Sequence, residues 1–275
     1  MAFIFNRGGG VAVVEVHGVI GARVRETVYE RIFDSVARNK RYRALLLDIN
    51  SPGGSASGSD LLYHSLKKVA ERKPVVAYVR GIGASGGYYL CCAANKVVAL
   101  PTAMIGSIGV IYLRPILEQL LSKVGIEMSV FKGGRLKDMT GFWRKPTDEE
   151  SENFQGLITE LYDTFVSVVV EGRSLDEAKV RELATGEIYT ARRGQEMGLM
   201  DELGDFDRAL ELAAELGGVK PRPRWIRPKR PLSDRLTGRM ANRQTLLFNE
   251  MLRMLAGGMY YVEPSLVMGE HWESE

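Results

Sequence analysis

Three apolar runs constrain the fold of this chain more than any other feature. VAVVEVHGVI (residues 11–20), ALLLDI (44–49) and PVVAYV (74–79) carry hydrophobic side chains on consecutive positions, where a strand wetted on one face would alternate. Strands of that kind are covered on both faces, the arrangement of a parallel sheet between layers of helix. The intervening segments have helical spacing. Val28, Ile32, Phe33 and Val36 recur within 25–38, and Leu61, Leu62, Leu66 and Val69 follow Ser57, which is placed to cap that helix. The alternation predicts an α/β domain with a largely parallel sheet.

Further along, KVVAL (96–100) and GSIGVIYL (106–113) read as strands, 115–124 as a helix and 127–131 as a strand. After Lys145 the pattern turns helical, with Thr147 as an N-cap and acids in the first turn, where they complement the helix dipole. Helical spacing resumes in QTLLFNEMLRMLAGGMYYV (244–262) after a Pro/Arg-rich break.

With 275 residues, 45% of them hydrophobic, the chain can bury a full core. The adjacent Cys91 and Cys92 have no metal-ligand spacing and read as small buried hydrophobes, and neither a metal nor a cofactor is implied. MAFIFNRGGG is too short in its apolar part for a secretory signal. The weakly charged stretch 81–113 is broken by Pro101 and by eight glycines or serines, so it reads as buried core and not as a membrane span.

The segment GIGASGG (81–87) fits two motifs at once: G-x-G-x-x-G of a dinucleotide-binding turn and G-x-S-x-G of a nucleophile elbow at Ser85. The first needs an acid about 20 residues on to hold a ribose hydroxyl. No Asp or Glu occurs between Glu71 and Glu118, so that reading fails. A histidine-based triad fails too. His17 and His64 precede the serine, and His271 lies five residues from the C-terminus. Lysine is the other common partner, usable as a base when it is withdrawn from water and from acids. Lys96, Lys123, Lys132, Lys137 and Lys145 all follow Ser85, and composition does not choose among them.

NSPGG after one buried strand, GASGGYYL after the next, then TAMIGSIGV and FKGGRLKDM resemble, in that order, the signal peptide peptidase family of the protease IV type. YTARRGQEMGLMDELGDFDRAL is similar to the segment that closes its catalytic domain. The resemblance runs from about residue 11 to 216. It implies a Clp/crotonase-like α/β fold, a spiral of β-β-α units with a helical C-terminal part. It also implies Ser85 as nucleophile, Lys137 as general base, Ser107 as the serine that orients the lysine, and an oxyanion hole at Gly54 (with Gly53 beside it) and Gly86. Taken singly, these residues read as a helix cap, a solvated lysine and a plain turn. Asp138 next to Lys137 would keep the ammonium charged unless the two side chains point apart.

The resemblance further implies peptide substrates, signal peptides or other unfolded apolar segments, and a homo-oligomer in which neighbouring subunits share active sites. Residues 1–217 are expected to form the peptidase domain. Residues 218–275 are expected to form a basic linker and a helical arm for subunit packing. From Lys220 to Arg243 there are nine Lys or Arg against one acid, while the whole chain carries +3. That basic stretch suits peripheral contact with an anionic membrane through 220–257, and no specific nucleic-acid partner. With no signal peptide or transmembrane segment visible, the expected location is cytoplasmic. Two other functions stay open: a crotonase-like acyl-CoA hydratase or hydrolase, which needs an acid such as Asp60 or Glu118 near its oxyanion hole, and a noncatalytic ring scaffold.

Overall fold

The computed structural model describes residues 9–228 and 259–262. In chain order the elements are β1 (Gly10–His17), α1 (Glu26–Arg38), β2 (Tyr42–Ser51), β3 (Gly53–Ser55), α2 (Ala56–Ala70), β4 (Val75–Ala84), α3 (Gly86–Cys91), β5 (Lys96–Ala99), β6 (Met104–Gly106) and β7 (Ile111–Tyr112). They continue with α4 (Glu118–Lys123), α5 (Asp148–Arg173), α6 (Glu177–Leu183), β8 (Ile188–Thr190), α7 (Ala191–Met197), β9 (Glu202–Leu203), α8 (Phe206–Gly217), β10 (Pro223–Trp225) and β11 (Met259–Val262).

The three apolar runs are β1, β2 and β4, at the centre of a parallel sheet ordered β10-β1-β2-β4-β5-β9. Their successive side chains enter two different cores. Ala12, Val14, Leu45, Leu47, Ala77 and Val79 face the side covered by α1, α2, α3 and α5. Val11, Val13, Ala44, Leu46, Val76 and Tyr78 face Ala209, Leu210, Ala213 and Ala214 of α8. Burial on both faces is why these runs do not alternate, and each fully buried Leu or Val contributes about 1.5–3 kcal/mol. Pro223, which has no N–H to give to a ladder, lies in the outermost strand β10.

Beyond Gly81, β4 takes a new neighbour. Ile82, Gly83 and Ala84 pair with β6, which in turn pairs antiparallel with β8. A second, small sheet of β3, β11 and β7 stands apart from the main one.

Four local expectations change. The cap of α2 is Ser55, whose hydroxyl accepts from the Gly58 N–H, and Ser57 lies inside the helix. The strand expected at 127–131 is absent: the segment is exposed, and among the described residues no strand pairs with it. The single strand expected at 106–113 is broken: β6 ends at Gly106, Ser107 turns the chain with φ +49°, and only Ile111–Tyr112 is extended again, as β7. Residues 259–262 are extended and not helical, held between two strands, while the helix expected before them and the basic stretch from 229 lie outside the described residues. Thr147 does cap α5, in a reciprocal capping box with Glu150.

The sheet also holds one buried charge. Asp48 of β2 is 0% exposed and accepts two hydrogen bonds from Arg80, at 2.6 and 3.3 Å, with His17 Nε2 3.5 Å away. Burial works to raise its pKa, but the nearby His17 and the hydrogen-bonded Arg80 outweigh it and hold the carboxyl below the ordinary aspartate value. A carboxyl depressed in the folded state stabilises the fold above its unfolded pKa of about 3.9, and that stability drains away as pH falls through the folded value. Asp48→Asn is therefore expected to cost about 1.5–3 kcal/mol at pH 7, since it removes the charge from two hydrogen bonds while Arg80, itself 45% exposed, stays solvated. It should also flatten the acid limb of a thermal-midpoint profile. A variant as stable as wild type at pH 7 would show that the pair is dispensable.

Candidate active site

Ser85 stands where β4 gives way to α3. Its backbone has φ +52° and ψ −118°, a conformation that costs a residue with a Cβ about 1–3 kcal/mol. The surroundings impose it. The Ser85 N–H donates to the Gly106 carbonyl at 2.7 Å, and the Ser85 carbonyl accepts from the Tyr89 N–H at 2.8 Å. Although Ser85 occupies the N-cap position of α3, its hydroxyl makes no capping hydrogen bond. The residue is 1% exposed, and its hydroxyl is not spent on the helix.

Gly53 and Gly54 lie directly against this turn. A Cβ added to Gly53 would fall 2.7 Å from the Gly86 nitrogen, so the NSPGG loop and the start of α3 touch backbone to backbone. Ser51 fixes the loop from beneath: its hydroxyl donates to the Gly18 carbonyl at 2.7 Å and accepts the Gly53 N–H at 3.2 Å. The Gly53 N–H is therefore committed within its own turn. On the far edge of β3, the Gly53 carbonyl and the Ser55 N–H bond to the two backbone groups of Ile20. Because backbone groups alternate along a strand, the Gly54 N–H points the other way, into the groove between β3 and β7.

Ser107 is buried and follows the glycine that anchors Ser85, and its own N–H donates to the Glu187 carbonyl at 2.8 Å. The fold thus gathers Ser85, Gly53, Gly54, Gly86 and Ser107. It does not bring Lys137 to them. Lys137 is exposed on an arm, residues 113–146, that leaves the domain after β7 and returns at α5. The carboxylate of the adjacent Asp138 is taken by Lys132 and Arg144, which hold its pKa down. Arg144 also grips Glu150, and this ion pair keeps the glutamate carboxyl at about 2 and ties the arm to α5.

Neither cysteine competes as a nucleophile. Both are free and buried, and burial pushes the Cys92 thiol up to about 12 and Cys91 higher still. Asp60, the acid an acyl-CoA enzyme could use, accepts from the Tyr89 hydroxyl at 2.8 Å and lies 3.5 Å from His64. Glu118, the other candidate, is on the arm at the start of α4.

Sequence reading missed the occupant of the groove. β11 runs antiparallel to β3 and to β7, with Tyr261 opposite Gly54. Its hint was a short aromatic and β-branched stretch after two glycines, MYYV, which helical spacing upstream obscured. Among the described residues no helix is long and apolar enough to cross a membrane.

Comparison with known proteins agrees with this fold. The model of Peptidase family S49 matches residues 67–220, and that of Clp protease matches 12–107. A Synechocystis sp. protein named as a protease is 39% identical over 87% of this chain and 87% of its own length. The chloroplastic serine protease SPPA of Arabidopsis thaliana is 32% identical over 86% of this chain, which spans only 36% of that longer protein. Protease 4 of Salmonella typhi is likewise 32% identical, over 78% of this chain and 36% of its own length. Among solved structures, a mutant of the 1510-N membrane-bound stomatin-specific protease superposes on 82% of this chain and all of its own, with a TM-score of 0.50 at 16% identity, which bears on the fold alone. With a Clp-protease-like α/β fold and a family match over more than half its length, the chain is a peptidase and belongs to Peptidase family S49.

Proposed function

We propose that the chain is a serine endopeptidase with a Ser/Lys dyad, acting on signal peptides or other unfolded apolar peptides that enter the groove as an extended strand. The observation that carries this reading is Ser85, held in a strained turn with its hydroxyl uncommitted and the backbone of Gly53, Gly54 and Gly86 packed around it. In the reaction, Ser85 Oγ attacks the scissile carbonyl and its proton passes to Lys137. The N–H groups of Gly54 and Gly86 stabilise the oxyanion. The leaving amine takes the proton, and water then hydrolyses the ester with Lys137 again as base. Ser107 orients the lysine.

Lys137 is exposed while Ser85 is buried, so the base is supplied by a neighbouring copy in a homo-oligomer. The arm supports this: Leu120, Val124, Ile126 and Phe131, the last 96% exposed, present an apolar surface that a second subunit would cover. Such docking would also withdraw the lysine from water, which favours a neutral amine.

Complementation tests the shared site. Ser85→Ala and Lys137→Ala are each expected to abolish hydrolysis of an apolar fluorogenic peptide. After dissociation and co-assembly at equal ratio, about a quarter of wild-type activity should return, because one site in four then pairs an intact serine with an intact neighbouring lysine. Mixed assemblies that stay inactive would rule out sharing between subunits. Full activity in Lys137→Ala alone would show that the base is another residue.

A further inference from the structure

We infer that Asn50 and Ser51, the first two residues of NSPGG, are positioning residues for catalysis: together they fix the oxyanion loop relative to the strand that carries Ser85. The inference rests on the proposed nucleophile and oxyanion hole. It assigns two side chains that act through the backbone and not on the substrate.

The pair stands where the ladder between β2 and β4 loses its register. Up to Ile49 the pairing is regular, with Leu45 opposite Val75 and Ile49 opposite Val79. The next partners are Ser51 and Gly83, so β4 carries extra residues across this step. Backbone groups of β4 in the gap need partners other than the β2 main chain. Asn50 supplies one. Its Oδ1 accepts the Ile82 N–H at 3.0 Å, and a Cβ on Gly81 would lie 2.9 Å from the same oxygen. The carboxamide therefore fills the gap and ties down β4 just before the nucleophile turn.

Ser51 ties down the loop. It is 0% exposed, and its hydroxyl is used twice: it donates to the Gly18 carbonyl at 2.7 Å and accepts the Gly53 N–H at 3.2 Å. Gly18 is itself held by β2, its N–H donating to the Asn50 carbonyl at 2.9 Å. A Cβ on Gly87 would lie 2.6 Å from the Ser51 carbonyl oxygen, so Ser51 also abuts the start of α3, next to the Gly86 donor. Alanine at 51 would leave the Gly53 N–H and the Gly18 carbonyl without this partner. The loop's two glycines resist distortion poorly by themselves, which makes these ties decisive for where the Gly54 N–H points.

A donor displaced by about an ångström loses about 10²-fold in rate, whereas ground-state binding draws on the whole groove. The loss should therefore fall on kcat, with KM within about twofold of wild type. Ser51→Ala is expected to lower kcat by about 10–100-fold. Asn50→Ala should lower it about tenfold, and Asn50→Asp, which keeps the acceptor oxygen, should retain most of the rate. Ser65→Ala is the control: that hydroxyl also donates to a carbonyl, Leu61, but on the exposed side of α2, so its loss should change nothing.

The experiment uses the full chain and three readouts. They are steady-state hydrolysis of an apolar fluorogenic peptide, inhibition by a peptide aldehyde of the same sequence, and hydrogen exchange of amides 51–55. The aldehyde adduct on serine places an oxygen in the oxyanion hole, and exchange needs no catalysis at all. In Ser51→Ala, kcat and aldehyde affinity should fall together, KM should hold, and the 51–55 amides should exchange at least about tenfold faster. Thermal unfolding gives the folded fraction. Should Ser51→Ala fail to fold, Ser51→Cys, close in volume but a weaker hydrogen-bonding group, should show the same pattern at smaller amplitude.

Unchanged exchange would show that the Ser51 hydroxyl does not hold the loop. Faster exchange with wild-type kcat, or a loss confined to KM, would equally overturn the positioning role. Asn50→Asp as slow as Asn50→Ala would remove Asn50 from it. Hydrolysis retained in Ser85→Ala is a distinct failure: it overturns the nucleophile itself, and the role of Asn50 and Ser51 falls with it.

Discussion

Ser85→Ala is expected to lower kcat/KM by at least about 10⁴-fold, the scale on which serine peptidases lose activity without their nucleophile. The fold should survive, since alanine keeps the Cβ and the Ser85 hydroxyl makes no capping hydrogen bond. Ser85→Gly separates chemistry from strain. It removes the same hydroxyl and also relieves the φ of +52°, so it should be equally inactive yet more stable than Ser85→Ala by about 1 kcal/mol. Steady-state hydrolysis together with thermal unfolding of the three proteins checks both halves. Activity retained in Ser85→Ala would place the nucleophile elsewhere. A glycine variant less stable than the alanine one would show that the turn is not strained. Opposite signs for activity and stability at one position would mark a site where conformational energy is held for function.

The sequence made the sheet legible because β1, β2 and β4 are buried on both faces, and that leaves an unbroken apolar run in the chain. Ser85 stands out through its G-x-S-x-G turn, whereas Gly53, Gly54, Gly86 and Ser107 are identified only through the family resemblance; all five sit in tight backbone turns that are local in sequence. What stayed hidden depends on distant contacts. The arm at 113–146 has strand-like and helix-like residues, but the structure gives 127–131 no partner strand, so its composition suggested a strand that does not form. β11 is the converse case. Four residues after a long helical pattern carry too little local signal, and their extended form comes from two ladders supplied by β3 and β7. The pair between buried Asp48 and exposed Arg80 joins residues 32 positions apart, and nothing in the local sequence marks either as a partner.

Gly54→Ala is expected to lower the rate by about 10²–10³-fold, less than loss of the nucleophile does, and for steric reasons. A Cβ on Gly54 would lie 2.1 Å from the Ile20 oxygen, 2.5 Å from its nitrogen and 2.7 Å from its carbonyl carbon. All three are backbone atoms of the strand-like segment that β3 bonds to, so no side chain can swing aside. The φ of +155° adds strain for any residue with a side chain. Relief requires β3 to move away from Ile20 by roughly an ångström, since real Cβ contacts do not fall below about 3 Å, and that displaces the Gly54 N–H from the oxyanion. Misplacement on this scale costs about 10²-fold in rate, and outright loss of one oxyanion donor about 10²–10³-fold. Stability should fall by about 2–3 kcal/mol as the two hydrogen bonds to Ile20 weaken. Gly156→Ala is the matched control. Nothing lies within 4 Å of its added Cβ on the exposed face of α5, so it should leave activity unchanged and raise stability by up to about 1 kcal/mol. If Gly54→Ala hydrolyses peptide at the wild-type rate, the β3 edge is not part of the oxyanion hole, and the second donor must be sought outside the NSPGG loop.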